Sequence, residues 1–314
     1  MRLLGPMDEP ALRPRACSQG ANNKPRWMAI WSMIASGQVR SSKNIAFSST
    51  QPQSRGAEKV GITVTDPPKQ PQRVLRREDF TVVVMPAYNA EGTIQKTVEA
   101  IPAGSFEHIL VVDDASADHT VAVAREMGLD VRVHEQNGGY GANQKTCYRE
   151  ALKLGATVVA MVHPDYQYDP TAVPALTAAI KDGTADMTFG SRFANGSDPR
   201  KGGMPQYRYW GNRLTTWVEN LILGTHFTEM HSGMRAYSSA VLEAVDFESF
   251  SDDFVFDTQF MVAAHRLGFR IAEVPIPTRY TEESSSIGIR RSVRYVAESV
   301  KACLTVRPKG SGPI

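Results

Sequence analysis

A chain of 314 residues with 35 Lys and Arg against 33 Asp and Glu carries a formal net charge of +2, so it has no global basic field for nucleic acid, and any anion site must be local. Cys17, Cys147 and Cys303 are odd in number, far apart and in no CxxC, which excludes a disulfide framework or a zinc site and fits a reducing, cytoplasmic setting. The longest apolar stretch, residues 27–35, is about half of the ~20 residues that cross a bilayer, so no span is expected.

Residues 1–78 mix Pro, Ser, Gln and Arg without a sustained period and are expected to be a disordered extension. Lys24 and Arg26 ahead of a short apolar run resemble a signal peptide set too far from Met1, and a start assigned too far upstream explains them equally well. From residue 80, short β-branched runs at 80–85, 108–112, 131–134, 157–162 and 187–190 read as buried strands. Their alternation with helical stretches implies a parallel sheet. Gly128, Gly155 and Gly183 close the intervening helices, and Pro170 opens the last of them.

After Gly190, a Gly- and Pro-rich loop at 195–205 leads to a long helix near 210–223 and then to the segment 229–238. A helix near 258–267 ends at Gly268, and a strand at 270–274 is stopped by Pro275 and Pro277. Ile289, Val293, Val296, Val300 and Leu304 then recur at helical spacing, with Arg290, Arg291, Arg294 and Lys301 on the other faces. The apolar side of this amphipathic helix is expected to pack on the preceding domain; an anionic bilayer surface is the alternative. The expected organisation is an extension over 1–78, a single α/β domain over 79–285, and a helix with a tail over 286–314.

Ligands of an open parallel sheet bind outside the carboxyl ends of its strands, and the residues there are polar. The first strand runs into Pro86, Ala87, Tyr88, Asn89, Ala90 and Glu91, without the GxGxxG of a nicotinamide-binding fold. Asp113 and Asp114 end the second strand, where paired carboxylates suit ribose hydroxyls and base donors, or simply terminate the strand. The glycine cluster around Gly139 is either a tight turn into a helix or a backbone able to approach phosphate. Asp165 and Gln167 offer hard oxygen ligands of the kind that Mg²⁺ or Mn²⁺ takes when bridging a diphosphate.

Val-Val-Met-Pro-Ala-Tyr-Asn-Ala-Glu at 83–91, Val-Val-Asp-Asp-Ala-Ser-Ala-Asp-His-Thr at 111–120, Asn-Gly-Gly-Tyr-Gly-Ala at 137–142, Pro-Asp-Tyr-Gln at 164–167, Gly-Ser-Arg-Phe at 190–193 and His-Ser-Gly-Met-Arg-Ala-Tyr at 231–237 follow the order seen in family 2 glycosyltransferases. The chain resembles their dolichyl-phosphate mannosyltransferase branch over about residues 80–280. The resemblance implies a GT-A fold, with a mainly parallel sheet flanked by helices, and an inverting transfer from a GDP- or UDP-sugar to a polyprenyl phosphate. It places the nucleotide sugar on Pro86, Ala87, Tyr88, Glu91, Asp113, Asp114 and Gly139, and a divalent metal on Asp165 and Gln167. Arg192 would contact phosphate, as would Arg208 in a looser motif, and Ser232, Gly233 and Arg235 would lie beside donor and acceptor.

The chain departs from the family pattern in two places. The usual Asp-x-Asp is His163-Pro164-Asp165, which puts an imidazole beside the metal site, and Phe256-Asp257-Thr258-Gln259 stands where Phe-Gln-x-Glu is common. If the acceptor is a saccharide hydroxyl instead, Asp253 or Asp257 is the candidate base; as acids at a helix start, both also have a plain capping explanation. A non-catalytic sugar-nucleotide-binding protein is the other alternative. The expected setting is cytoplasmic, with peripheral contact on the inner face of the membrane for a lipid acceptor.

Overall fold

Seven short runs of β-branched and small apolar residues pair into one sheet in the computed structural model, which describes residues 79–194, 198–277 and 289–307. In chain order the strands are β1 (Thr81–Ala87), β2 (His108–Asp113), β3 (Asp130–Val133), β4 (Val158–Met161), β5 (Met187–Ser191), β6 (Arg235–Ser238) and β7 (Ile271–Pro275). Their spatial order is β3-β2-β1-β4-β6-β5-β7. All neighbours run parallel except β6, which is antiparallel to both β4 and β5. The expectation of a parallel sheet therefore holds for six strands, and β6 is the exception.

The helices are α1 (Ile94–Glu99), α2 (Thr120–Glu126), α3 (Tyr140–Lys153), α4 (Val173–Lys181), α5 (Gln206–Leu223), α6 (Ser239–Ala244), α7 (Phe256–Arg266) and α8 (Ile289–Thr305). Strand period sorts the core: Val82 and Val84 face one side with Leu110 and Val112, while Val83 and Met85 face the other with Ile109 and Val111. The first side is filled by α3 and α7, where Tyr148, Phe256 and Phe260 pack with Tyr237. The second is closed by Ile94 of α1 and by Leu176 and Ile180 of α4. β1 is buried along its whole length because it pairs on both edges. The stretch at 131–134, expected to be buried, forms an edge strand that is only partly covered, since β3 has a neighbour on one side alone.

Four glycines expected to end helices do so in the left-handed region: Gly128 at φ 74°, Gly155 at 84°, Gly183 at 79° and Gly268 at 81°. No helix among the described residues is long and apolar enough to cross a membrane. The extension at 1–78 and the segments 278–288 and 308–314 lie outside the described residues.

Candidate active site

Among the described residues three other than glycine have left-handed backbone, and each lies in a loop leaving the carboxyl edge of the sheet: Asn89 at φ 50° after β1, Ala115 at 58° after β2 and Tyr166 at 55° after β4. Alanine and tyrosine in that region cost about 1–2 kcal/mol each, so the surroundings must hold them there. The loops after β1 and β2 are clasped together. The Asn89 amide donates to Ser116 Oγ at 2.8 Å, Asn89 Oδ1 accepts from the Ala117 amide at 2.9 Å, and Glu91 Oε2 accepts from the His119 amide at 2.8 Å.

This clasp decides what the first two strand ends present. Pro86 and Ala87 are buried within β1, whereas Tyr88 is 55% exposed and Glu91 lies open at the rim. Asp113 is fully buried and accepts from the amide and hydroxyl of Ser116 at 2.9 and 2.5 Å. Asp114 accepts from the amides of Gly138 at 2.8 Å and Gly139 at 3.0 Å and meets His134 Nδ1 at 2.7 Å. Asp113 thus anchors its own loop, and Asp114 anchors the segment that leads from β3 into α3.

The glycine cluster follows the turn reading. The Gly141 amide donates to Asp252 O at 2.7 Å, and a Cβ on Gly141 would stand 2.4 Å from Ser251 O. Gly139, at φ 99°, would place one 2.7 Å from Asp252 O. The glycines let the segment around 251–252 close on the start of α3, and Lys145 holds that segment by donating to Phe250 O at 2.6 Å and Asp252 Oδ1 at 2.7 Å.

Beyond this seam, a cavity of about 300 Å³ opens at the ends of β4 and β6. His163, Asp165 and Gln167 line it together, joined by Tyr140 of α3, Asp257 of α7 and Arg291 of α8. The Gln167 amide donates to Asp165 Oδ1 at 3.0 Å, which fixes the turn carrying both side chains. The His163 ring stacks on Tyr140 with centroids 5.5 Å apart, and Gly233 covers it so closely that a Cβ would be 2.5 Å from His163 Nε2. The Tyr140 hydroxyl donates to Asp257 Oδ2 at 2.8 Å. Burial pushes the Tyr140 phenol well above its ordinary range and Asp257 adds to that, so it remains a donor.

Asp257 is backed by Arg235, which is fully buried and donates to Asp257 O at 3.0 Å and Ser232 O at 3.0 Å, with Nε 3.9 Å from Asp257 Oδ1. Arg235 therefore holds the loop before β6 from behind and does not line the cavity. Ser232 is likewise fully buried. Arg192 differs from its expected place on phosphate: it is 8% exposed, its Nε donates to Glu229 Oε1 at 2.7 Å, and Asn212 of α5 donates to the same oxygen at 2.8 Å. Arg208 lies on α5 with its Nε 3.2 Å from the Tyr207 hydroxyl, away from the cavity. Asp253 is exposed and does not line the cavity, so only Asp257 of the two candidate bases reaches it.

The sequence reading assigned no role to Tyr140, His231, Tyr295 or Glu229. His231 Nδ1 is 2.9 Å from the Tyr295 hydroxyl of α8, and Nε2 is 3.1 Å from Glu219 Oε2 of α5, an ion pair by distance whose N–H is not aligned on the oxygen. Burial opposes charge on this imidazole, but Tyr295 and Glu219 outweigh it, lifting His231 from 6.5 to about 10. α8 thus closes one side of the cavity through Tyr295. It seats Ser299, Ala302 and Cys303 in the domain. Of the apolar row expected to pack there, Val293 and Leu304 face outward instead, 67% and 62% exposed, while Val300 is partly covered.

Among the described residues no three His, Cys, Asp or Glu side chains converge to enclose a metal. Asp165 and Gln167 do line the cavity with oxygen donors, the type Mg²⁺ takes in a shell otherwise filled by phosphate and water, and the His163 imidazole beside them is not a donor that Mg²⁺ favours.

A mainly parallel sheet interrupted by one reversed strand, with a polar crevice along its carboxyl edge, defines a GT-A sugar-nucleotide transferase fold. Glucosyl-3-phosphoglycerate synthase from Mycobacterium tuberculosis, in complex with uridine diphosphate, has this fold with a TM-score of 0.57 at 20% identity over 75% of this chain and 84% of that one. The same protein with Mn²⁺, uridine diphosphate and phosphoglyceric acid gives 0.55 at 18% identity, over 75% and 82%. The glycosyl transferase family 2 model matches residues 82–246, and the chain belongs to that family. Its relatives include the polyprenol monophosphomannose synthase of Mycolicibacterium smegmatis, 30% identical over 236 residues, with 71% of this chain and 88% of that protein covered. The UDP-N-acetylglucosamine–dolichyl-phosphate N-acetylglucosaminyltransferase of Methanococcus voltae is 26% identical over 223 residues, covering 66% and 88%.

Proposed function

We propose that this glycosyltransferase moves a sugar from a GDP- or UDP-linked donor to a polyprenyl phosphate, with inversion and with Mg²⁺ or Mn²⁺ bound at Asp165, His163 and Gln167. The observation that carries the choice of acceptor is the state of Asp257. Apart from Asp165, it is the one carboxylate lining the cavity among the described residues, and it already accepts from Tyr140 while facing Arg235. Its Oδ2 is already shared with the Tyr140 hydroxyl and its Oδ1 is shut away from the cavity solvent, so neither oxygen is presented to an incoming saccharide hydroxyl. A phosphate monoester needs no proton acceptor, because its second pKa near ~6 leaves it largely dianionic at neutral pH. The names of the relatives, which include polyprenol- and dolichyl-phosphate transferases, support the same acceptor.

A bound divalent ion would neutralise the donor diphosphate and ease departure of the nucleoside diphosphate. The chain's own groups do the rest. Tyr88 and Glu91, exposed at the rim, would meet the nucleoside, and Tyr140, Asp257 and Arg235 are joined by hydrogen bonds along the cavity wall. Transfer of labelled sugar from a panel of GDP- and UDP-sugars, with Mg²⁺ or Mn²⁺, tests the reading. The expected result is an acid-labile glycolipid from one donor, with Asp165→Asn lowering its formation by about a hundredfold or more while the protein stays folded. Nucleotide release stimulated by a soluble saccharide, with no lipid product, would replace this reading by hydroxyl glycosylation.

A further inference from the structure

Helix α5 carries Tyr207, Trp210, Leu214, Trp217 and Leu221 at alternating intervals of three and four residues, which sets them along one side of the helix. That spacing is the usual signature of a face turned into a core. Here the core receives the opposite face, with Thr215, Thr216 and Glu219 buried, while the five large side chains are 56, 51, 64, 62 and 72% exposed. α8 packs beside α5 and repeats the arrangement, with Val293, Val296 and Leu304 outward. Two adjacent helices thus turn their apolar rows to solvent.

The exposed charges on these helices are mostly basic. Arg213, Arg291, Arg294 and Lys301 are exposed. The acids are Glu219, which is buried, and Glu298, which is paired with Arg294 at 2.7 Å.

We infer that the outward faces of α5 and α8 together form a docking surface for an anionic lipid bilayer. Two tryptophans and a tyrosine among aliphatic side chains match the depth at which a membrane is half wet, and the flanking cations match lipid phosphates. A second copy of the chain fits less well, since a twofold contact would set the same surplus of cations against itself. α8 also carries Arg291 and Tyr295 on the cavity wall, so a chain seated this way brings the cavity to the lipid surface. That last consequence rests on the polyprenyl-phosphate reading; the docking itself rests on the two helices.

The experiment is sedimentation of the full chain with vesicles of phosphatidylcholine alone and of phosphatidylcholine mixed with phosphatidylglycerol, for the wild type, Trp217→Ser and Leu221→Ser. Binding is expected to the anionic vesicles, to weaken with salt, and to fall about tenfold for each substitution, with thermal midpoints unchanged because both side chains are exposed. Equal partitioning of wild type and variants overturns the proposal. So does a dimer, formed without vesicles and dissociated by Leu221→Ser, which assigns the face to a second copy. Vesicle binding without sugar transfer from any donor keeps the docking surface and removes the transfer reading, and transfer without vesicle binding does the reverse.

Discussion

The hydroxyl of Tyr140 donates to Asp257 Oδ2 at 2.8 Å across 117 residues of chain, joining the first residue of α3 to the first turn of α7. Two helices that approach the sheet from distant parts of the sequence are thereby fixed at the cavity wall. Tyr140→Phe keeps the ring against His163 and leaves a buried acceptor short of its donor, so the unfolding free energy should drop by about 1–3 kcal/mol. Urea denaturation reads this directly, and an unchanged midpoint would mean that the bond stabilises nothing.

The pairing of Arg192 with Glu229 is buried, so its disruption should be severe. Glu229→Gln leaves the guanidinium charge without its counter-ion, an arrangement that costs about 3–5 kcal/mol. The acid limb of the stability profile should change as well. Burial pushes the Glu229 carboxyl up, but Arg192 outweighs it and holds the group below 4.5. Its contribution is therefore present above the unfolded value and lost as pH falls through the folded one. Melting at decreasing pH should show a loss in the wild type that the variant lacks.

His231 works in the opposite direction. Its folded value of about 10 exceeds the ordinary 6.5, so its stabilisation is complete below pH 6.5 and disappears as pH rises through about 10. Denaturation at a series of alkaline pH values should show the wild type losing on the order of a few kcal/mol relative to His231→Asn. Parallel curves would show that Glu219 and Tyr295 do not hold the imidazolium.

Two glycines give a paired test of packing. Gly141→Ala forces a methyl against the Ser251 carbonyl and should destabilise by about 1–3 kcal/mol, because the obstacle is backbone. Gly211, within α5, has nothing within 4 Å of its would-be Cβ. There alanine should stabilise by about 0.5–1 kcal/mol through helix propensity. A thermal midpoint that rises for Gly141→Ala as it does for Gly211→Ala would contradict the packing described at Gly141.

The parts legible in the sequence were those that local chemistry dictates. Apolar runs located β1, β2, β4 and β5 to within a residue or two, and Gly128, Gly155, Gly183 and Gly268 marked helix ends through the backbone conformation that favours glycine. His163, Asp165 and Gln167 share a cavity because they sit on one turn. What escaped depends on long-range pairing. An arginine announces a cation but not its partner, so Arg192 was expected on a ligand phosphate and is found on Glu229, 37 residues away. The apolar period of α8 likewise identifies a stripe without saying which side meets the protein. Its small and polar face, Ser299, Ala302 and Cys303, does so. β6 is four residues long, too short to reveal its direction.

The reversal of β6 has a consequence for how such a protein can diversify. Its neighbours reach the rim where they end, whereas β6 reaches it where it begins, so the loop carrying His231, Ser232 and Gly233 is delivered by a chain arriving from the far side of the sheet. The crevice is therefore assembled from two stretches that no shared strand obliges to vary together. The earlier stretch runs from Tyr88 through Gln167. The later one is the loop from His231 to Gly233, and inheritance can tinker with one bank of the cleft while the other stands unchanged.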